Sequence, residues 1–202
     1  MKLTAAPTFT PVRRTMLLTI ALLMLPFLLA FGLYWFEWRP ATLANHGELI
    51  EPPLALPDNG LSLADGRPLP TAELRRKWTL VMVSKRPCDN ACQQDLHQMR
   101  QVQVALNKEM LRLRRVLIGS SVSALAADPA LPELRRNYPD LLIAAPNADP
   151  QGAVWRSAVD GTSHRFYVID PLGNVMMRYT DKPDMAGMLK DLERLLKYSW
   201  VG

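Results

Sequence analysis

Trp78-Thr79-Leu80-Val81-Met82-Val83-Ser84-Lys85-Arg86-Pro87-Cys88-Asp89-Asn90-Ala91-Cys92 is the stretch on which the fold of this chain turns. Its first six residues are uncharged and rich in strand formers, which predicts a short buried strand. Beyond Cys92, the residues Leu96, Met99, Val102, Leu106, Met110 and Leu113 recur at spacings of three and four. That period predicts a helix with one apolar face. The two cysteines therefore stand where a strand passes into a helix. They are the only cysteines in 202 residues, too few for a multi-disulfide scaffold or a four-thiolate zinc site. Whatever they do, they do as one pair.

If the helix begins near Cys88, residues four apart face the same side and the two sulfurs can meet. A helix start offers unpaired N–H groups and the positive end of the dipole, which favour thiolate over thiol, and Lys85 and Arg86 push the same way. Such a pair can close into a disulfide, exchange with another disulfide, or bind a soft metal such as Cu(I). An inert structural disulfide in an oxidising compartment is the alternative. A bridge over so few residues closes almost no loop and gains little from chain entropy, which favours a reactive pair.

Working outward, Val116-Leu117-Ile118-Gly119 predicts a second strand, and a helical stretch follows around Leu131 to Tyr138. Phe166-Tyr167-Val168-Ile169 and Val175-Met176-Met177-Arg178-Tyr179 flank Asp170-Pro171-Leu172-Gly173-Asn174, a hairpin with a marked turn. From Lys182 onward, Met185, Met188, Leu189, Leu192, Leu195 and Leu196 predict a terminal amphipathic helix with Pro183 in its first turn. Upstream, Leu61 to Leu69 alternates and turns at Asp65-Gly66, which predicts a strand pair opening the domain. Strand, cysteine pair, helix, strand, helix, hairpin and helix describe an α/β domain with a mixed sheet, in the order of a thioredoxin-like fold.

The N-terminal part is of another kind. No charge occurs from Thr15 to Phe36, and at 1.5 Å per residue such a helix reaches about 33 Å, enough to cross a bilayer core of about 30 Å. Arg13 and Arg14 precede it and Tyr34, Trp35 and Trp38 close it, so the positive-inside rule puts the N-terminus in the cytoplasm and exports the rest. A cleaved signal peptide is the competing expectation, with Thr42-Leu43-Ala44 as a cleavage site, although the apolar run is long and ends in bulky aromatics. The expected organisation is a cytoplasmic N-terminus over 1–14, a transmembrane anchor over 15–38, a Pro-rich tether over 39–57 and the α/β domain over 58–202. The net charge of +5 draws on Lys2, Arg13 and Arg14 at the membrane flank, which leaves an ordinary balance elsewhere and no case for nucleic acid.

Other chemistry-bearing residues read as structural. His46 is expected in a solvated loop and His97 on a solvated or packing face of the long helix, neither at metal-ligand spacing. Met99, Met110, Met185 and Met188 fit helical core positions. Arg112, Arg114 and Arg115, and Arg135 and Arg136, are expected on solvated faces. No Gly-rich phosphate loop, G-x-S-x-G elbow or H-E-x-x-H helix occurs, which removes support for nucleotide enzymes and hydrolases.

The membrane segment, the hairpin entry, the C-x-x-x-C pair at a strand-to-helix junction, and a late histidine before a strand ending in Asp170-Pro171-Leu172-Gly173 together resemble the Sco (SenC) family over roughly residues 58 to 198. The resemblance implies a thioredoxin-like domain that helps assemble the copper A centre of cytochrome c oxidase. It further implies copper held by both cysteines and a distant histidine, subunit II or its assembly factors as partner, and a periplasmic domain on the inner membrane. It departs from the family pattern at Asp89, Asn90 and Gln93, where that family has prolines and an aspartate, and Pro87 here precedes the pair. Where the family has its histidine this chain has Gly161 in one register and Thr162 in another. His164 lies two residues past Thr162, on the same face of an extended strand, and is the expected substitute ligand. Cys88 and Cys92 are then redox residues and copper ligands, with His164 as third ligand. A metal-independent thiol–disulfide oxidoreductase, and a non-catalytic assembly subunit on the same scaffold, remain open beside this.

Overall fold

The computed structural model describes residues 11–36, 45–160 and 164–200, apart from the side chains of Val159, Asp160 and His164. Gly161 and Thr162 lie outside the described residues. The chain divides into two compact units, Met1–Ala44 and Asn45–Gly202. In the first, helix α1 spans Pro11–Trp35, runs on through Pro26 and buries none of its residues. It is long and apolar enough to cross a membrane. The described helix takes in Pro11 to Arg14 ahead of the charge-free run.

Among the described residues of the second unit, β1 (Glu48–Ala55), β2 (Leu61–Leu63), β3 (Pro68–Leu69), β4 (Trp78–Val83), β5 (Leu113–Ile118), β6 (Leu141–Pro146), β7 (His164–Ile169) and β8 (Asn174–Thr180) make one sheet. Its order is β1-β8-β7-β4-β5-β6-β2-β3. The β4, β5 and β6 strands run parallel, and β7, β8 and β1 continue the sheet antiparallel. Every residue of β4 is buried, as a central strand covered on both faces requires. On one face, Leu80, Met82, Leu117, Phe166 and Met177 pack with Leu96, Met99 and Val102 of α3 (Asn90–Ala105) and Met188, Leu192 and Leu196 of α7 (Met185–Tyr198). Leu125 of α4 (Val122–Ala126) and Leu134 of α5 (Leu131–Asn137) join the same cluster. On the other face, Val81, Val83, Val116, Ile118 and Ile169 pack with Leu74 of α2 (Thr71–Leu74) and Trp155 of α6 (Ala153–Asp160).

Several elements differ from the pattern in the sequence, each for a physical reason. The stretch expected as a Pro-rich tether contains β1, an edge strand paired with β8, and the pairing breaks register between Leu49 and Leu54 where Pro52 and Pro53 have no N–H to give. Helix α3 stops at Ala105 because Asn107 turns the chain at φ 50, a region asparagine tolerates. A 3-10 turn over Asn107–Arg112 follows, so Met110 is partly exposed instead of core, and Leu113 opens β5. Asp184, not a residue before Pro183, caps α7 by accepting from the Ala186 N–H at 3.0 Å.

The basic clusters are not uniformly solvated. Arg115 is buried, its Nη2 donates to both oxygens of Asp140 at 2.8 Å, and its guanidinium lies 5.7 Å from the Tyr138 ring centre. Arg112 donates to the Leu196 and Ser199 carbonyls at 3.0 and 3.1 Å and so satisfies the last turn of α7. Burial works against the Asp140 carboxylate, but the hydrogen bond and charge of Arg115 outweigh it and hold this carboxyl below its ordinary value of 3.8. A depressed carboxyl stabilises the fold above its unfolded value and loses that contribution as pH falls through the folded one. Because the Asp140 side chain is 58% exposed and solvent screens the pair, Asp140→Asn should cost about 1 kcal/mol at neutral pH, with the difference from the parent shrinking as the pH drops below 3.8, measured by denaturant unfolding at several pH values.

Candidate functional site

The C-terminal ends of the parallel strands in an open α/β sheet are where such folds place their sites, and Cys88 follows the end of β4 there. Val83 ends the strand, the Ser84 N–H is held by the Ile118 carbonyl at 2.8 Å, and Lys85, Arg86 and Pro87 are exposed. Helix α3 begins at Asn90, two residues later than a start at Cys88. Asp89 is its N-cap, and its Oδ1 accepts the Cys92 N–H at 2.9 Å. Cys92 is thus set by the first helical turn, while Cys88 stands outside the helix.

The two cysteines form a disulfide with Cα atoms 5.1 Å apart, an ordinary separation for such a bridge. Both residues are buried, Cys88 at 7% exposure and Cys92 at 1%. Chain entropy assigns so small a loop about 2 kcal/mol of stabilisation, against about 4.7 for a loop of 100 residues. The bridge therefore adds less than half of what a long-loop disulfide would.

Carboxylates hold the cysteine backbone in addition to the helix start. Asp128, buried in the connection between α4 and α5, accepts the Cys88 N–H on Oδ2 at 2.8 Å and the Ala130 N–H on Oδ1 at 2.9 Å. Asp95 lies one turn past Cys92 and pairs with Arg165 at 2.7 Å. Burial raises the Asp95 carboxyl, Arg165 opposes that rise and the charge of Asp89 adds to it. Two carboxylates, Asp89 and Asp128, thus hold the backbone N–H groups of the two cysteines. No spacing rule links Asp128 to a cysteine 40 positions earlier. The Asp128-Pro129 step is a turn signal and nothing more.

The histidines divide. Phe166 pairs with Met82, so His164, at the start of β7 opposite Thr180, stands at the same end of the sheet as the cysteines. The Arg165–Asp95 ion pair ties that strand start to α3. The side chain of His164 lies outside the described residues. His97 is exposed beside Gln101, at 2.9 Å. His46 is an exposed loop residue, as expected, but its backbone is clamped. Buried Asp191 accepts the backbone N–H groups of His46 and Gly47 at 2.8 and 2.9 Å and the Tyr179 hydroxyl at 3.1 Å, with His46 Nδ1 at 3.3 Å. Burial, then the Asp191 charge, pushes the Tyr179 phenol upward, so it stays a donor. Gly187 is required there, since a Cβ would meet the His46 ring at 2.6 Å.

Among the described residues no three His, Cys, Asp or Glu side chains converge as a metal-ion ligand set. While bonded to each other, the sulfurs offer no thiolate, and Asp128 is already occupied by two amides. The described, oxidised site does not fit copper.

A buried disulfide at the strand-to-helix junction of a mixed sheet flanked by helices defines a thioredoxin-like protein. The chain belongs to the family described as transmembrane-like, thioredoxin-like, C-terminal domain, whose model matches residues 78–199. Its fold is Sco-like. It is similar to copper-bound yeast Sco1 at a TM-score of 0.57 and 18% identity, covering 73% of this chain and 95% of that one. It is similar to apo Sco1 of Thermus thermophilus at 0.53 and 16%, covering 78% and 98%. A third likeness, at 0.52 and 15% and covering 75% and 100%, is to BsSco, described as having a disulfide switch and belonging to the Sco family of cytochrome c oxidase assembly proteins. Curated proteins give no match.

Proposed function

We propose that this chain is a single-pass inner-membrane protein, with its N-terminus in the cytoplasm and its domain in the periplasm, that acts in assembly of the copper A centre of cytochrome c oxidase by thiol–disulfide exchange at Cys88 and Cys92. The observation that carries this is the closed Cys88–Cys92 bridge at the start of α3 in a Sco-like fold, with Cys88 the more exposed of the two residues. Helix α1 supplies the membrane attachment, and Arg13 and Arg14 in its first turn favour the cytoplasmic side.

In the reduced form the Cys88 thiolate attacks a disulfide of subunit II, or of one of its assembly factors, and displaces one partner thiolate. Cys92 then attacks Cys88 in the mixed disulfide and releases the second. Two electrons pass to the partner's cysteines, which become free to take copper, and this chain is left with the bridge described above. A periplasmic dithiol returns it to the reduced form. Cys92→Ser should accumulate a mixed disulfide through Cys88 with oxidase subunit II or an assembly factor, identified by non-reducing gels and mass spectrometry. Cys88→Ser should accumulate far less. No such adduct from Cys92→Ser would refute exchange.

The position of His164 at the cysteine end of the sheet supports a second reading, in which the reduced pair carries copper(I) as cargo with His164 as third donor. Titration of the reduced protein with copper(I) against a chelator should then give one site weakened at least tenfold in His164→Ala and abolished in the Cys88→Ser/Cys92→Ser double variant. Tight binding by the double variant would contradict it.

A further inference from the structure

The two sulfurs are held by unequal means. Cys92 belongs to α3, and its N–H is capped by Asp89. Cys88 precedes that cap, and the three residues before it are exposed. Its backbone N–H is held at 2.8 Å by Asp128, a residue 7% exposed. Asp128 is itself fixed from both sides. Its Oδ1 accepts the Ala130 N–H at 2.9 Å, its own N–H donates to the Leu125 carbonyl at 3.1 Å, and its carbonyl accepts the Leu131 N–H at 3.1 Å. The carboxylate is a rigid bracket that joins the turn before α5 to the cysteine loop.

We infer that Asp128 is a positioning residue that sets how readily the Cys88–Cys92 bridge forms, a role that rests on the exchange chemistry proposed above. While the bridge is closed, the covalent bond keeps Cys88 over the first turn of α3. Once two electrons and two protons have opened it, the amide bond to Asp128 keeps the Cys88 sulfur near Cys92. A dithiol held in register closes with a high effective concentration, so the bracket favours the disulfide over the open pair. Hydrogen bonds to charged acceptors are strong enough for this when buried.

The test is the equilibrium constant for bridge formation in the full-length, detergent-solubilised protein, read by alkylation and mass spectrometry across dithiothreitol buffers. Asp128→Ala should lower the constant about tenfold, which makes the pair about 30 mV more oxidising. Asp128→Asn keeps an acceptor for the Cys88 N–H and should recover most of that loss, which a general loss of stability would not do. Asp128→Ser keeps a local acceptor for Ala130 but does not reach Cys88. It should behave like Asp128→Ala, and it decides the matter if the alanine variant does not fold. Alanine or serine variants that titrate like the parent, or an asparagine variant as low as alanine, would overturn the assignment. The constant is measurable whether or not the pair has a partner. A null shift therefore removes only the role of Asp128, whereas missing mixed disulfides remove the exchange reading.

Discussion

Strand β4 is paired with β5 from Trp78 to Val83 and with β7 from Thr79 to Met82, and every one of its residues is buried. A strand held on both edges and both faces cannot slide, because a slip of one residue would turn its whole side-chain set to the wrong layer. Its C-terminal end is therefore a fixed point, and the site is built on it. Cys88 follows that end, α3 starts from it, and the antiparallel partner β7 brings His164 back to it. Packing of α3 and α7 onto the same face of the sheet keeps the first turn of α3, and Cys92 with it, in place.

The site built there is balanced rather than simply electropositive. A helix start beside Lys85 and Arg86 favours an activated thiolate, but Asp89 caps the helix and Asp128 holds the Cys88 amide. A buried charge is less screened than exposed ones. Asp128 acts on the Cys88 backbone from inside the domain, whereas Lys85 and Arg86 are exposed. With Cys88 and Cys92 both largely buried, the bridge is neither a loose surface disulfide nor a staple over a long loop.

Local signals made much of this legible. The run from Trp78 to Val83, the apolar period of α3 as far as Val102, the Asp170–Asn174 turn with Gly173 at φ 96 and the terminal helix all follow from neighbours in sequence. The rest depends on pairings that periodicity does not contain. Strand β6 lies in a short apolar stretch that only its place beside β5 and β2 explains. Strand β1 hides in a proline-rich segment because an edge strand tolerates missing N–H groups on one side. The clamp on the His46 backbone was hidden because its partner, Asp191, is 145 residues away. Arg115 looked like surface charge because Asp140 and Tyr138 reach it through the tertiary fold. At the site, the cysteine pair was readable from its spacing. The aspartate that positions it was not.

The reduction potential of the Cys88–Cys92 pair in the intact protein tests the central claim most directly, since a working exchange pair and an inert staple differ in just this quantity. Structural disulfides of secreted proteins lie below about −300 mV, while labile and catalytic ones lie higher. A potential above that limit, with rapid and reversible opening of the bridge by small dithiols, is the expected result. A potential well below it, with a bridge that resists dithiols while the domain stays folded, would contradict the account and leave Cys88–Cys92 as a structural cross-link.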